Sequence, residues 1–538
     1  MTMQRMTGGD AVAASLAAHG VEVIFGIPGG HSLPVYDALA RQKRIRHVLG
    51  RHEQGLAFMA DGYYRASGKV GVLTTTSGPA VANIACGMGQ ATTDTSAVLA
   101  VASTVRSDLV GRNRGGLHDC GEAIQIMRPV CRHVRRAGSV QEIPRIIAEL
   151  MLALRTGRPG GAFCEIPCDL LAAEAEVAIP DPKPAERLAP DASAVEAAVR
   201  LLAEAKRPVI WAGTGTVASD AGAELVQLAE RIGAIVIPTI LARGIVPCAA
   251  ANVILADGAL MTEVNDLVAE ADVVLAVGTM FKQEDTAAWE TRFGEKLIHV
   301  DIDPQEIGRS YPPDVAIVAD AKAALQAILE SLPNRGVANS EWSARAKRAE
   351  AARLAKRRAQ GPTEMKVLDV FRAVVPDEAV IAADRCSLGY WIYRCMPVNR
   401  PRSFLFPMGY GGLGGSLPQA IGARIACPDR PVVCVIGDGG FQFTATELAV
   451  AVQENTPLTV VLCNNRVFGA IRANQDRNFA GRRFGVDLVN PDFHKLADAY
   501  GIDYLRADEL EAFENALTST VGGKGICLIE LTVELADP

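Results

Sequence analysis

Two polar side chains near the C-terminal end of the chain are of the types that hold a metal ion beside a phosphate group. Asp438 lies in the run Gly437–Gly440, whose other residues are glycines, and Asn465 follows the next apolar run. With the backbone carbonyl of Val467 they offer three hard oxygen ligands, which suit Mg²⁺ together with phosphate oxygens and water. Glycines let backbone N–H groups approach phosphate oxygens. The pattern favours a magnesium–phosphate site, although either half alone is also typical of a plain turn.

Two short apolar runs must position these residues. Residues 431–436 and 458–463 are rich in β-branched side chains and end at the glycines and the asparagines, which is typical of buried parallel strands. Between them, the segment from Thr444 to Glu447 has a capping-box pattern and predicts that a helix starts there. Such a βαβ unit brings the carboxyl ends of its strands to one sheet edge, where open α/β sheets bind ligands. We therefore expect the carboxylate and the amide to lie close together.

Residues 1–175 repeat the alternation of strand and helix patterns. Apolar runs at 21–25, 47–49 and 72–75 each end in a polar or glycine-rich turn, and a helical pattern follows. This repetition predicts a doubly wound parallel sheet with a ligand site along the edge where the turns lie. Glu53 lies just after the second run, where a carboxylate is also explained by the dipole of the helix that follows.

The segments 51–55 and 437–465 together resemble the two motifs of thiamine-diphosphate (ThDP) enzymes. The first resembles the segment that carries the catalytic glutamate, particularly in acetolactate synthase and its relatives, and the second resembles the diphosphate–magnesium motif. The resemblance covers nearly the whole chain. It implies an α/β fold of three doubly wound parallel-sheet domains: a pyrimidine-binding domain at 1–175, a middle domain at 190–335 and a diphosphate-binding domain at 363–538.

The resemblance also implies ThDP and Mg²⁺ as cofactors and Glu53 as a catalytic carboxyl group. In the family this carboxyl bonds to the aminopyrimidine ring and drives its imino form, so that the exocyclic nitrogen can remove the proton from thiazolium C2; burial is expected to raise the pKa of the carboxyl. Leu413, in the glycine-rich turn 409–418, falls where the family has an apolar wedge beneath the bent cofactor. The cofactor lies between two subunits in the family, which implies a homodimer or homotetramer.

Several further positions take cofactor-binding roles by the same resemblance. The implied cofactor-binding residues are Pro28, Gly30, Thr76, Asn83, Ser387, Gly411, Leu413, Gly437, Asp438, Gly439, Gly440, Asn465, Val467, Phe468 and Gly469, and the implied metal ligands are Asp438, Asn465 and Val467. Cys386 and Ser387 depart from the Asp-x-Gly-Gln pattern that the family often has at 384–387.

His118 and Asp119 are the predicted catalytic residues that set the reaction. Acetolactate synthase has Phe-Gln at these positions, and the Leu-His-acidic segment here is closer to members that resemble 5-guanidino-2-oxopentanoate decarboxylase. A histidine there can exchange protons with a substrate carbonyl, whereas the other interpretation is a solvated polar loop. Gly30 and Thr76 replace the polar catalytic side chains of benzoylformate decarboxylase.

We therefore expect decarboxylation of a 2-oxo acid, alone or with carboligation of the resulting carbanion or enamine to an aldehyde or a second oxo acid. The alternative is an acetolactate synthase-type large subunit that condenses two 2-oxo acids. The sequence does not give the substrate, which a panel of 2-oxo acids, tested for carbon dioxide release with and without aldehyde acceptors, would narrow down.

Composition and missing motifs argue against other classes. The net charge of −7 gives no basic footprint for nucleic acid, and no run of about 18 apolar residues or signal peptide is evident, so a cytoplasmic location without membrane attachment is expected. No segment matches FAD binding, and FAD is not predicted. A nicotinamide oxidoreductase would need a complete G-x-G-x-x-G motif, of which Gly213 and Gly215 are only a part. A non-catalytic relative would be expected to lack Glu53 or Asp438.

Overall fold

Three parallel sheets organise the chain, and the computed structural model describes residues 3–248, 250, 252–255, 262–333 and 340–536. The strands are β1 (Gln4–Thr7), β2 (Val23–Gly26), β3 (Arg46–Leu49), β4 (Gly71–Thr75), β5 (Val98–Thr104), β6 (His133–Arg136), β7 (Gly161–Pro167), β8 (Glu174–Val177), β9 (Pro208–Ala212), β10 (Ile235–Pro238), β11 (Val273–Val277), β12 (Lys296–Asp301), β13 (Val315–Val318), β14 (Val380–Ala383), β15 (Phe404–Leu405), β16 (Val432–Gly437), β17 (Leu458–Cys463), β18 (Asp503–Ala507) and β19 (Ile526–Leu531).

Helices connect these strands and cover the sheets. The α-helices are α1 (Gly8–Ala18), α2 (Leu33–Gln42), α3 (Glu53–Ser67), α4 (Pro79–Thr93), α5 (Ala123–Met127), α6 (Glu142–Thr156), α7 (Cys168–Ala172), α8 (Ala192–Glu204), α9 (Thr214–Ala218), α10 (Gly222–Ile232), α11 (Thr262–Ala269), α12 (Ala321–Ser331), α13 (Ser340–Gln360), α14 (Pro362–Val374), α15 (Ser387–Cys395), α16 (Ser416–Ala426), α17 (Asp438–Thr444), α18 (Leu448–Gln453), α19 (Gly469–Asn478), α20 (Phe493–Tyr500) and α21 (Leu510–Thr520). Within the described part of the chain, no helix combines the length and the apolar character that crossing a membrane requires.

In each sheet the strand order reverses near one edge, between the second and third strands of the order given next. The first sheet runs β3-β2-β4-β5-β7-β6, the second β10-β9-β11-β12-β13 and the third β15-β14-β16-β17-β19-β18, with every neighbouring pair parallel. The α/β class with three parallel-sheet domains is thus confirmed, while the domain boundaries predicted from the sequence stay a prediction. Ligands of such sheets bind beside the reversal point, at the carboxyl ends of the strands.

The strands of the third sheet show why the sequence forms buried parallel strands. β16 reads Val-Val-Cys-Val-Ile-Gly and β17 reads Leu-Thr-Val-Val-Leu-Cys, and both are buried along almost their whole length. Strands covered by helices on both faces need such continuous apolar sequence rather than alternation. The two strands pair in register from Val433 opposite Thr459 to Gly437 opposite Cys463, so their ends and the residues that follow lie side by side.

One element expected from the sequence differs in detail. Thr444 is both the last residue of α17 and the N-cap of a single 3-10 turn, Ala445–Glu447, after which α18 starts at Leu448, but its side chain makes no capping hydrogen bond. The Thr444 hydroxyl donates instead to the carbonyl oxygen of Gly414 at 2.6 Å. Glu447 bonds to the first unit, which is the part of the chain that forms the first sheet; the second and third units are named after their sheets in the same way. Tertiary partners replace the local hydrogen bonds that the pattern predicts.

The first and third units also pack against each other within one chain. Helix α3, which begins at Glu53, lies against helix α16 of the third unit. At this contact the buried Gln419 amide donates to a carboxylate oxygen of Asp61 at 2.6 Å. The position of the Glu53 segment therefore depends on both units.

Candidate active site

A cavity of about 340 Å³ lies at the carboxyl edge of the third sheet, beside the reversal point between β14 and β16. Its lining includes the predicted residues Ser387, Gly411, Leu413, Gly437, Asp438, Gly439, Gly440, Asn465, Val467, Phe468 and Gly469. These residues come from the start of α15, the glycine-rich turn before α16, the start of α17 and the segment after β17. The structure thus brings together the residues predicted for the diphosphate and the metal ion, and their binding role stays a prediction.

Asp438 is the first residue of α17 and is almost fully buried. One carboxylate oxygen, Oδ2, accepts hydrogen bonds from the backbone N–H of Arg466 at 2.8 Å and from Nδ2 of Asn490 at 2.6 Å. Burial raises the pKa of the Asp438 carboxyl, and these hydrogen bonds oppose the rise. A bound cation would favour the ionised form and oppose the rise in pKa that burial causes.

Asn490 is a residue of this site that the sequence analysis missed. Besides Asp438, its amide donates to Oδ1 of Asn464 at 2.9 Å. Asn464 in turn donates to Glu530 at 2.5 Å, and the Tyr504 hydroxyl bonds to the other oxygen of the same carboxylate. This network fixes the orientation of the predicted metal ligand, as hydrogen-bonded partners of ligands do at metal sites.

The residues around the cavity include types that could hold a magnesium diphosphate. A Cβ atom at Gly439 would lie 2.5 Å from the Phe468 ring, so only glycine allows the backbone this close approach. Across the residues that the structure describes, no group of three or more His, Cys, Asp or Glu side chains could hold a metal ion. Asp438, Asn465 and the Val467 carbonyl offer hard oxygen ligands of the kind that Mg²⁺ prefers, and the thiols of Cys386 and Cys463 also line the cavity.

The other predicted residues lie at the corresponding edge of the first sheet. Glu53 begins α3, and its Oε2 accepts a hydrogen bond from Nδ2 of Asn83 on α4 at 2.9 Å. Thr76 follows β4, and its Oγ1 is buried with no hydrogen-bond partner among the described residues. Pro28 and Gly30 follow β2 and are exposed. None of these five residues lines the cavity of the third sheet, so the predicted site falls into two halves.

His118 lies next to the first half and faces a second histidine. It has a positive φ of 66°, and a Cβ atom at Gly78 would lie 2.8 Å from its carbonyl oxygen, so the loop rests directly on the turn after β4. The rings of His118 and His31 meet edge to face with centroids 5.4 Å apart, and Nδ1 of His31 lies 2.6 Å from Oγ of Ser77. Burial, and next the charge of His118, lower the pKa of His31. The sequence analysis missed His31.

Asp119 has a different environment from its neighbour. Its two carboxylate oxygens accept hydrogen bonds from the backbone N–H groups of Arg114 at 2.9 Å and Gly121 at 3.0 Å. Such contacts are typical of an aspartate that stabilises a turn. The structure therefore joins His118, and not Asp119, to another group that can transfer protons.

Glu447 is a third residue that the sequence analysis did not assign to the site. Its fully buried carboxylate accepts hydrogen bonds from the backbone N–H groups of His52 at 2.9 Å and Arg51 at 3.3 Å. Burial raises the pKa of Glu447 to about 7, and the charge of Glu53 adds to this effect. The third unit thus holds the backbone just before the predicted catalytic carboxyl.

Replacing Glu447 with glutamine is expected to flatten the pH dependence of folding stability. Because the folded-state pKa of about 7 lies above the ordinary value of 4.5, the stability tied to the protonated form is complete below about pH 4.5 and is lost as pH rises through 7. At about 1.4 kcal/mol per pKa unit, this amounts to about 3 kcal/mol. Chemical unfolding of cofactor-free wild type and Glu447→Gln at pH 5 and pH 8 measures this pH-dependent part of the unfolding free energy. An equal loss of stability in the wild type and in Glu447→Gln between these pH values would contradict the raised pKa of Glu447. Glu509→Gln, at an exposed glutamate, is the control.

The two halves are a cavity at the edge of one parallel sheet and a glutamate at the edge of another. Open α/β sheets bind phosphorylated cofactors at such edges. Comparison with protein families gives the particular class. The three units match the thiamine pyrophosphate enzyme N-terminal TPP binding domain at residues 6–126, the central domain at 195–328 and the C-terminal TPP binding domain at 384–531. The chain belongs to the thiamine pyrophosphate enzyme family, as its motifs predicted.

Similar proteins match over nearly the full chain. A protein of Pseudomonas aeruginosa named probable 2-ketoarginine decarboxylase AruI is 37% identical over 540 residues, which cover 98% of this chain and 94% of that protein. An acetolactate synthase of Mycobacterium bovis is 34% identical over 534 residues, which cover 95% of this chain and 85% of that protein. A probable acetolactate synthase large subunit of Methanococcus aeolicus is 32% identical over 559 residues, which cover 98% of this chain and 92% of that protein.

Proposed function

We propose that this protein is a ThDP- and Mg²⁺-dependent decarboxylase of a 2-oxo acid. The observation that carries the proposal is the cavity of the third sheet, where Asp438, Asn465 and Val467 meet around a space lined by glycines. Family membership supports ThDP as the cofactor. When bound, ThDP supplies the electron sink that accepts the electron pair released with carbon dioxide.

Each half of the site has its own task in this proposal. Asp438, Asn465 and the Val467 carbonyl hold the metal ion, and the backbone at Gly437–Gly440 holds the diphosphate. Glu53, held by Asn83, would hold a proton toward the aminopyrimidine of bound ThDP. Leu413, on the cavity wall, would support the bound cofactor. His118, which faces His31, delivers a proton to the substrate side.

The histidine pair favours decarboxylation over condensation. A proton donor beside the reacting carbon promotes release of an aldehyde, whereas condensation requires that a second carbonyl arrives first. The similarity to a protein named as a 2-ketoarginine decarboxylase supports the same choice. Carboligation to an aldehyde or a second oxo acid is the second candidate, supported by the acetolactate synthases among the relatives.

Two experiments test the proposal in sequence. Calorimetry on cofactor-free protein should show uptake of ThDP that depends on Mg²⁺, and no uptake would refute the proposal. A panel of 2-oxo acids that includes pyruvate and 2-ketoarginine is then assayed for carbon dioxide release, with and without aldehyde acceptors. Chromatography of the products separates the two candidates. An aldehyde one carbon shorter than the oxo acid supports the decarboxylase, and a condensed product, formed with an added aldehyde or with a second oxo acid, supports the carboligase.

Replacing His118 with asparagine is expected to lower aldehyde formation by about 10²-fold, because positioned acid–base groups contribute on that order. Carboligation should lose less, so the ratio of condensed product to aldehyde should rise. Product analysis by chromatography measures the ratio. His133→Asn, at a half-buried histidine of β6, is the control. An unchanged product ratio in His118→Asn would show that this histidine does not deliver the proton.

We also propose a homodimer or homotetramer in which two chains complete each site. The two halves lie on different sheets, and large apolar side chains are exposed at both: Leu117 beside His118 at 77% and Ile471 on the cavity at 56%. Such exposed apolar groups are typical of surfaces that another chain covers. Sedimentation equilibrium measures the assembly, and a monomer that is fully active would contradict it.

A further inference from the structure

The glycine-rich turn that carries Leu413 is held by buried side chains of the first unit. Asp94 accepts hydrogen bonds from the backbone N–H of Met408 at 3.1 Å and of Gly409 at 2.8 Å. Oε1 of Gln90 accepts one from the backbone N–H of Gly411 at 3.1 Å. Gln90 is fully buried and Asp94 almost fully, so these hydrogen bonds are shielded from water.

A lysine of the second unit completes the arrangement. Nζ of Lys282 lies 2.8 Å from Oδ1 of Asp94, and Nη1 of Arg65 lies 3.7 Å from Oδ2. The Gln90 amide also donates to the Asp94 carboxylate. Burial works to raise the pKa of Asp94, but Lys282 and Arg65 outweigh it and hold the pKa below its usual value. Asp94 therefore remains an anion that can accept from both backbone groups of the turn.

Helix α4 connects this contact with the other half of the site. Asn83, in its first half, bonds to Glu53, while Gln90 near its end and Asp94 just after it bond to the turn. One helix thus sets the positions of the carboxyl that meets the aminopyrimidine and of the wedge beneath the cofactor. Since cofactors span two chains in this family, the two positions serve neighbouring sites.

We propose that Lys282, Asp94 and Gln90 are positioning residues for Leu413, through which the second unit takes part in catalysis; the proposal rests on ThDP being the cofactor. None of the three needs to touch the substrate. They fix the backbone at 408–411, and the backbone fixes the leucine two residues on. Reactions that depend on exact orientation lose about 10²-fold in rate when a group moves by about 1 Å, so loosening this turn should be costly.

The first measurement needs no cofactor. Hydrogen–deuterium exchange of the backbone amides, followed by mass spectrometry of peptides that span 405–417, reports whether the turn is held. Lys282→Met and Gln90→Met should each raise exchange in these peptides at least tenfold in cofactor-free protein. Lys282→Arg should restore protection because it keeps the charge. The control is Lys296→Met, because Lys296 pairs with Asp314 at 2.7 Å in the same unit but lies away from the turn.

The second measurement follows the proton at C2 of bound ThDP. The rate at which this proton exchanges into D₂O, measured by acid quench and NMR, should fall at least tenfold in Lys282→Met and Gln90→Met. The affinity for ThDP should change less than threefold, because Asp438 and Asn465 are untouched. A general loss of folding would instead lower affinity and exchange rate together.

The outcomes separate this inference from the proposed function. Faster amide exchange in the turn with slower C2 exchange supports the positioning role. Unchanged values in both Lys282→Met and Gln90→Met, with a wild type that binds ThDP and exchanges its C2 proton normally, overturn it and leave the proposed function standing. A wild type that binds no ThDP overturns the proposed function and the positioning role together.

Discussion

Replacing Glu53 with glutamine is expected to lower turnover by 10²-fold to 10⁴-fold, about the range that a positioned acid–base group contributes. Glutamine keeps the size of the side chain, and its oxygen can still accept the hydrogen bond from Asn83. It cannot share a proton with a ring nitrogen, so formation of the imino cofactor should fail. Steady-state turnover and C2 exchange of bound ThDP measure the loss.

The cofactor should remain bound in Glu53→Gln, because the residues around the diphosphate are unchanged. Glu142→Gln is a matched control, since Glu142 also lies in the first turn of a helix, α6, but far from the predicted site. Near-normal turnover in Glu53→Gln would refute the role of this carboxyl. Loss of ThDP binding in the same variant would show that Glu53 serves mainly in affinity.

Asp438→Asn is expected to weaken Mg²⁺-dependent binding of ThDP by at least about 10²-fold. Mutating even a residue that only hydrogen-bonds to a metal ligand lowers metal affinity or activity by about 10-fold to 100-fold. The substitution removes the negative charge that would face the metal ion, and it keeps the shape of the side chain. Calorimetric titration of cofactor-free protein with ThDP and Mg²⁺ measures the change.

The same substitution should not lower the stability of cofactor-free protein at neutral pH. Burial raises the pKa of Asp438, which means that the ionised carboxylate costs folding free energy when no cation is present. Lost binding with an unchanged or higher melting temperature would therefore locate the effect at the metal site. Unchanged ThDP affinity in Asp438→Asn would refute the assignment, and exposed Asp429→Asn is the control.

The sequence predicted those parts of the site that depend on neighbouring residues. The strand predicted at 458–463 has the same bounds in the structure, and Asp438 and Asn465 follow adjacent strands as expected. The strand bounds and the neighbouring positions of Asp438 and Asn465 both follow from apolar runs and glycines that are contiguous in the chain. The family resemblance, which rests on the same local segments, is likewise confirmed.

Residues whose partners are distant in the sequence could not be predicted in this way. Three hydrogen bonds show this. Asn490 and Asp438 are 52 residues apart in the sequence, Glu447 and His52 are 395 residues apart, and Asp94 and Met408 are 314 residues apart. No local pattern marks an asparagine or an aspartate as such a partner. The capping hydrogen bond predicted at 444–447 is absent for the same reason, because Thr444 bonds to Gly414 and Glu447 bonds to His52 instead.

The antiparallel pair formed by β1 and β8 has a consequence for how this chain can be rearranged. Gln4 lies opposite Val177, so the two strands that flank the first sheet in the sequence lie side by side. A block with adjacent ends can be exchanged between genes, or given new termini by circular permutation, without threading its backbone through the rest of the molecule. Joining residue 177 to residue 4 by a short glycine linker would close this block into a ring.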